Sequence, residues 1–222
     1  MKKIFALLLF ISAFGFSQNT KELGDFSEIK VFDRINVELI PSSENKIEIT
    51  GNRKDDVEII NKNGTLKIRM SFRKLLDGEE ITAKLYFKNI ESIDASEGSY
   101  IICDAIFKQT AIEIIAKEGA QIKLKLDVEK VQIKSVTGAI VKVSGDAVNQ
   151  DASLGTGGIL EAQDLTTSQT TVTITTGGEA DVRASVLVDA KVKAGGEITI
   201  YGSPKQINKK TLLGGTIQES NR

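Results

Sequence analysis

Carboxylates are the groups in this chain whose type and spacing come nearest to chemistry. Asp55, Asp56 and Glu58 lie close together, as do Glu79 and Glu80, and then Glu91, Asp94 and Glu97. Two acids at the right separation cleave a glycosidic bond, one as proton donor and the other as base or nucleophile. Acids holding calcium beside a Lys or Arg base would instead suit polysaccharide elimination. None of these acids recurs at a fixed spacing further along, so no assembled catalytic set is expected. The 222 residues include no His and a single Cys. That excludes Ser-His-Asp and Cys-His catalysis, the usual zinc ligand sets and an internal disulfide. Cys103 sits in an alternating apolar run and reads as a small buried hydrophobe. No catalytic, cofactor-binding or metal-ligating residue is therefore assigned, and no cofactor is expected.

The balance of 29 Lys+Arg against 30 Asp+Glu, with pI about 5.8, leaves no electrostatic footprint for nucleic acid. Gly pairs at 157, 177, 195 and 214 lack the Gly-x-Asp that would follow in a calcium-binding nonapeptide repeat. Gly155-Thr156-Gly157-Gly158 lacks the Gly-Lys-Ser/Thr ending of a phosphate loop. The run TTSQTTVTITT at 166–176 would place Thr171, Thr173 and Thr175 on one face. Their equivalents one repeat away are Asp, Ser, Gly and Lys, so no flat threonine lattice for ice arises.

The elements that would position any site come from a repeat. Gly recurs at 98, 119, 138, 157, 177, 195 and 214, at spacings of 21, 19, 19, 20, 18 and 19. A small residue follows each one. The third position onward is apolar (Ile101, Ile122, Val141, Leu160, Ala180, Ile198, Ile217), and the fifth is apolar through six repeats, from Cys103 to Ile200. Polar residues fall between, which is the two-residue alternation of a strand with one buried face. A second alternating set precedes each Gly, as in Ile112, Ile114 and Ala116, or Val188, Ala190 and Val192. Units this small cannot bury their own apolar face and must stack. The expected fold is all-β: a parallel β-solenoid of about 19-residue coils, right-handed by the rule for parallel crossovers.

The first half is less regular. Ile35, Val37 and Leu39 alternate, as do Leu66, Ile68, Met70 and Phe72, and then Ile81, Ala83, Leu85 and Phe87. Asn63-Gly64 is a two-residue hairpin signal, and Pro41–Asn45 and Leu76–Glu79 read as turns. An open solenoid end needs cover, so residues 18–96 are expected to be wider, partly antiparallel coils that cap regular coils over 97–222. Together they form one domain, 18–222. Gly202–Lys205 reads as a turn, and the charged tail after Ile217 should blunt the last edge. Residues 1–17 have the order of a secretory signal peptide: Lys2-Lys3, an apolar run from Ile4 to Phe16, and small Gly15 and Ser17 before a cut at Gln18. That run is shorter than the roughly 20 residues needed to span a bilayer. An exported protein without a transmembrane segment is expected, in the periplasm, on the outer-membrane surface or outside the cell.

The stretches FDRINVELIPSSENKIEITGN and DDVEIINKNGTLKI, the repeated GA/GG coils and the ending YGSPKQINKKTLLGGTIQE resemble the head GIN domain family of auto-transporter adhesins. The resemblance covers about residues 26–219. It implies a β-solenoid in the cell envelope and adhesion as the function, and it carries over no catalytic residues.

Function on a solenoid lies in outward columns. The fourth position after Gly reads Lys123, Lys142, Glu161, Asp181, Thr199, and would form modest ion pairs between coils. The second reads Tyr100, Gln121, Ile140, Ile159, Glu179, Glu197. Ile140 and Ile159, with Tyr100 near, form a candidate patch for a partner or for self-association. The function expected is a non-enzymatic adhesin or envelope scaffold whose partner is an envelope protein, a glycan or another copy. The alternative is a carbohydrate-binding or carbohydrate-active protein using the acids of the first half.

Overall fold

A computed structural model describes residues 20–220, so the leader-like segment 1–17 lies outside the described residues. The regular half begins with four long strands, β9 (Tyr100–Ala116), β10 (Gln121–Val136), β11 (Ile140–Gly155) and β12 (Ile159–Ile174). It continues as β13 (Glu179–Arg183), β14 (Leu187–Ala194), β15 (Glu197–Tyr201), β16 (Gln206–Leu213) and β17 (Thr216–Glu219). Each coil lies parallel to the next. The register pairs Ile122 with Val141, Val141 with Leu160, Leu160 with Ala180, Ala180 with Ile198 and Ile198 with Ile217. The protein is a parallel β-solenoid. Two strands per coil were expected; in β9 to β12 the ladder runs on through the second bend, so one strand wraps both faces.

The corner preceding each coil explains the glycine phase. Glu97-Gly98, Glu118-Gly119, Thr137-Gly138 and Thr156-Gly157 all have both residues at positive φ, from 52° to 74°. Each turn closes when the small residue's N–H donates to the carbonyl three residues back, as Ala120 does to Lys117 and Ala139 to Val136. Two left-handed residues in succession are the geometry of a type I′ turn. Only its second position was legible as Gly. Successive corners also bond to one another: Gly98 N–H donates to Glu118 O, Gly119 to Thr137 and Gly138 to Thr156.

The first half supplies β1 (Thr20–Glu22), β2 (Glu28–Val31), β3 (Asn36–Pro41), β4 (Lys46–Thr50), β5 (Val57–Lys62), β6 (Thr65–Met70), β7 (Thr82–Phe87) and β8 (Ser92–Ala95). Here the order of coils departs from the order of the chain. β2 lies between β6 and β8, and β3 between β7 and β9, all parallel. The β2–β3 coil is therefore sandwiched between two later ones. Beyond β6 and β7 the pairing turns antiparallel: β5 on β6, joined at Asn63-Gly64, and β4 on β7 with β1 outside it. This is the expected mixed cap. Phe72 is a correction. It does not continue the alternation of Leu66, Ile68 and Met70, because the strand ends at Met70 and a 3-10 turn at Phe72–Lys74 leaves its ring 85% exposed.

The inside is one continuous buried cluster from Phe26 to Ile200. One of its columns runs Leu66, Ile29, Ile93, Ile114, Ile133, Ala152, Val172, Ala190. Cys103 is 1% exposed within it, and burial pushes its thiol pKa up. Phe87 and Phe107 stack with ring centres 5.3 Å apart. Gln150, Thr167 and Thr170 form a buried polar cluster, in which the Gln150 Nε2 has no partner. At the far end, Lys209 and Glu219 take positions held by Ala190 and Ile200 one coil earlier, and pair at 2.6 Å. Charges aimed at the core position of a last coil discourage addition of another strand.

Two outcomes follow. A Cβ on Gly145, which has φ +102°, would sit 2.2 Å from the Leu126 carbonyl oxygen, whereas at Gly119 nothing lies within 4 Å. Gly145→Ala should cost about 1–3 kcal/mol and clearly exceed Gly119→Ala in urea unfolding. Lys209→Leu with Glu219→Leu should give a molecular mass by light scattering that rises with concentration more steeply than the parent's.

Candidate functional site

The acids of the first half do not converge. Glu58 takes the Arg69 guanidinium at 2.7 Å, Glu79 pairs with Arg34 at 3.1 Å, and Glu80 accepts from the Asn52 amide at 3.0 Å. Glu91 accepts from the Asn89 side chain. Asp94 is buried beside Lys117 at 3.1 Å, with Ser96 donating to it. Asp55 and Asp56 lie on a 3-10 turn between β4 and β5. Burial raises the pKa of Glu97, and Asp33 adds to the shift. The three groups lie apart along the fold: Asp55, Asp56 and Glu58 on the 3-10 turn and β5, Glu79 and Glu80 in the loop before β7, and Glu91, Asp94 and Glu97 on β8 and its flanks. Among the described residues, no three His, Cys, Asp or Glu gather closely enough to hold a metal ion.

A different acidic group forms in the regular coils. Parallel register stacks Ile140, Ile159, Glu179 and Glu197 in one outward column, and Lys142, Glu161, Asp181 and Thr199 in another. The two columns are two residues apart along each strand, so both point to the same face. Glu161, Glu179, Asp181 and Glu197 therefore line one shallow depression of about 370 Å³, with Ile159, Gln163 and Thr199 on its wall. The expected ion pairing between coils holds at one step. Lys142 Nζ meets Glu161 at 2.7 Å, and the pairing raises the lysine pKa. At the next step Asp181 faces another acid. Burial pushes its pKa up, a hydrogen bond from Thr199 opposes the shift, and Glu161, Glu179 and Glu197 add to it. Glu197 accepts from the Gln218 amide at 2.6 Å.

Tyr100, Ile140 and Ile159 are all half-buried on the outward face. Ile140 and Ile159 are register neighbours, and Gln121 separates Tyr100 from them. Ile159 also opens onto the acidic depression. The depression was missed because the two outward columns were read separately. Glu179 and Glu197 stood in one and Glu161 and Asp181 in the other, and only their adjacency makes a cluster.

A sequence model of the family described as "Putative auto-transporter adhesin, head GIN domain" matches residues 25–204. The chain belongs to that head GIN family. No curated protein matches it in sequence. Among solved structures, a protein of Bacteroides fragilis described as a putative adhesin superposes with a TM-score of 0.84. The two are 18% identical, over 90% of this chain and 95% of that one. A Parabacteroides distasonis protein described as a putative adhesin gives 0.68 at 20% identity, over 90% and 95% of the two chains. Another from P. distasonis, described as a putative lipid binding protein, gives 0.66 at 18% identity, over 91% and 96%. At such identities the likeness is one of fold.

The raised pKa of Asp181 makes a prediction for this head GIN protein. The folded state holds that proton more tightly than the unfolded chain does. The group's contribution to stability therefore falls as pH rises from the ordinary aspartate value of 3.8 through the folded value, and stays low above it. Asp181→Asn should unfold at a higher temperature than the parent at pH 7. The difference should shrink as pH is lowered toward 3.8, followed by thermal melts across that range.

Proposed function

We propose that this protein is a non-enzymatic cell-envelope binding module, an adhesin or surface scaffold. It would be exported after removal of residues 1–17 and act as one β-solenoid unit over 18–222, in the periplasm, on the outer-membrane surface or outside the cell. Membership of the head GIN family and the leader-like N-terminus support this reading. Among the described residues no helix is long and apolar enough to cross a membrane.

The observation that carries it is the outward face on which Ile140 and Ile159 stack in register beside Glu161, Glu179, Asp181 and Glu197. An apolar pair rimmed by acids on a rigid sheet suits recognition of a partner surface, with apolar contact supplying affinity and the acids selecting basic character. The partner is an envelope protein, a glycan or a second copy. Carbohydrate cleavage by the first-half acids would need two carboxylates facing one gap, and Glu58, Glu79 and Asp94 are engaged with separate cations.

Affinity capture from envelope extract by the chain from Gln18 onward, beside its Ile140→Lys/Ile159→Lys variant, tests the proposal. The variant should lose at least tenfold of whatever the parent retains. Equal capture by both overturns this face as the binding surface. Light scattering of the pair reads self-association: a smaller mass for the variant identifies a second copy as the partner.

A further inference from the structure

The corner between β6 and β7 is built differently from the others. At the stacked corners on its inner side, Asp33-Arg34 and Glu97-Gly98, two left-handed residues turn the chain; here residues 71–81 do so, and the tip of the loop is not packed on the core. Phe72, Leu75 and Leu76 are 85%, 50% and 45% exposed. Between them stand Arg73 and Lys74, and neither is in an ion pair among the described residues. The nearby acids Asp77 and Glu79 are taken up by Arg53 and Arg34.

This loop is held, not loose. Asp33, 1% exposed, receives the Met70 N–H on one carboxylate oxygen at 3.0 Å and the Leu76 N–H on the other at 2.9 Å. Its carbonyl accepts from Gly78 at 3.0 Å. Ser71 N–H donates to Asp56 O, and Lys74 N–H closes a turn on Ser71 O. A Cβ on Gly78 would lie 2.3 Å from the Asp33 carbonyl oxygen, so the loop's base fits against the corner below it. Leu76 has φ +63°, a conformation that costs a branched residue free energy and persists only where its surroundings enforce it. A buried carboxylate and a strained leucine thus hold three apolar side chains in water.

We infer that the Phe72–Leu76 loop is a membrane-contact site that inserts Phe72, Leu75 and Leu76 into the interface of an anionic phospholipid bilayer. Arg73 and Lys74 would meet the headgroup phosphates. A protruding aromatic and two leucines enclosing cations match an interfacial anchor, in which buried apolar area and attraction to anionic lipid act together. A flat or concave protein interface would instead bury such a ring among neighbours, and Phe72 has almost none. The inference is independent of the face around Ile140 and Ile159.

The chain contains no tryptophan, so Phe72→Trp gives a single indole reporter. Vesicles of phosphatidylethanolamine and phosphatidylglycerol (3:1) should shift its emission to the blue, and brominated lipid should quench it. Pure phosphatidylcholine vesicles should do so at least tenfold more weakly. In co-sedimentation with the anionic vesicles, Phe72→Ser/Leu75→Ser should lose at least tenfold in partitioning. Arg73→Glu/Lys74→Glu should abolish the preference for the anionic vesicles. Circular dichroism and melting temperature check that each variant is folded. Absence of a shift in a folded Phe72→Trp protein overturns the inference. So does vesicle binding that survives the double serine variant, or equal binding to both lipid compositions.

Discussion

Everything in this molecule depends on the parallel, in-register backbone ladder. Once one coil lies on the next with hydrogen bonds at every step, a residue's neighbours above and below are fixed by its phase in the repeat. A column such as Ile122, Val141, Leu160, Ala180, Ile198 is apolar throughout, and where polar members enter a column, as Gln150 and Thr170 do, they stack on one another and hydrogen-bond. The corner obeys the same rule. Two successive left-handed residues turn the chain so tightly that corners themselves stack and bond, Gly98 to Glu118 and Gly119 to Thr137. A one-residue slip would exchange core and solvent side chains, and where coils differ in length the ladder absorbs the difference in local register shifts, at Lys123–Lys125 and at Lys142–Ser144.

A stacked ladder has two ends, and the chain treats them differently. At the C-terminal end it stops the core columns with Lys209 and Glu219, which pair where Ala190 and Ile200 stood one coil before. At the N-terminal end the pairing turns antiparallel, with β4 on β7, β5 on β6, and β1 outside β4. Insertion of the β2–β3 coil between later strands ties the start of the chain into the body of the stack. That arrangement also lets Asp33, in the β2–β3 corner, brace the long loop of the next coil outward.

The same ladder builds the surface. Outward columns two residues apart form one face, and charges that are remote in sequence become neighbours. Glu161 finds Lys142 on one side and Asp181 on the other, so one step of the stack is an attraction and the next is a repulsion that adds to the burial holding a proton on Asp181. Such solvent-exposed pairs are weak and screened by salt. Their importance lies in shaping what the face will accept.

Residues 97–219 were legible from the chain alone, because a repeat repeats its environment: the phase of Gly119 or Gly138, with the alternation of Ile122 and Leu124, carries both fold and register. The hairpin at Asn63-Gly64 was equally local, since two left-handed residues need no distant partner. What lay beyond reading was non-local. No property of β2 says that it will sit between β6 and β8, because that pairing is chosen by apolar faces far apart in sequence. Phe72 looked like one more inward residue after Met70 until the Asp33 clamp ended the strand and turned its ring to water. The acidic depression had all its members visible in two columns, but side-chain adjacency across coils exists only once the backbone has wound. Local periodicity determined the repeat and its core; the tertiary structure alone decided coil order, caps and sites, since these depend on which distant surfaces bury each other.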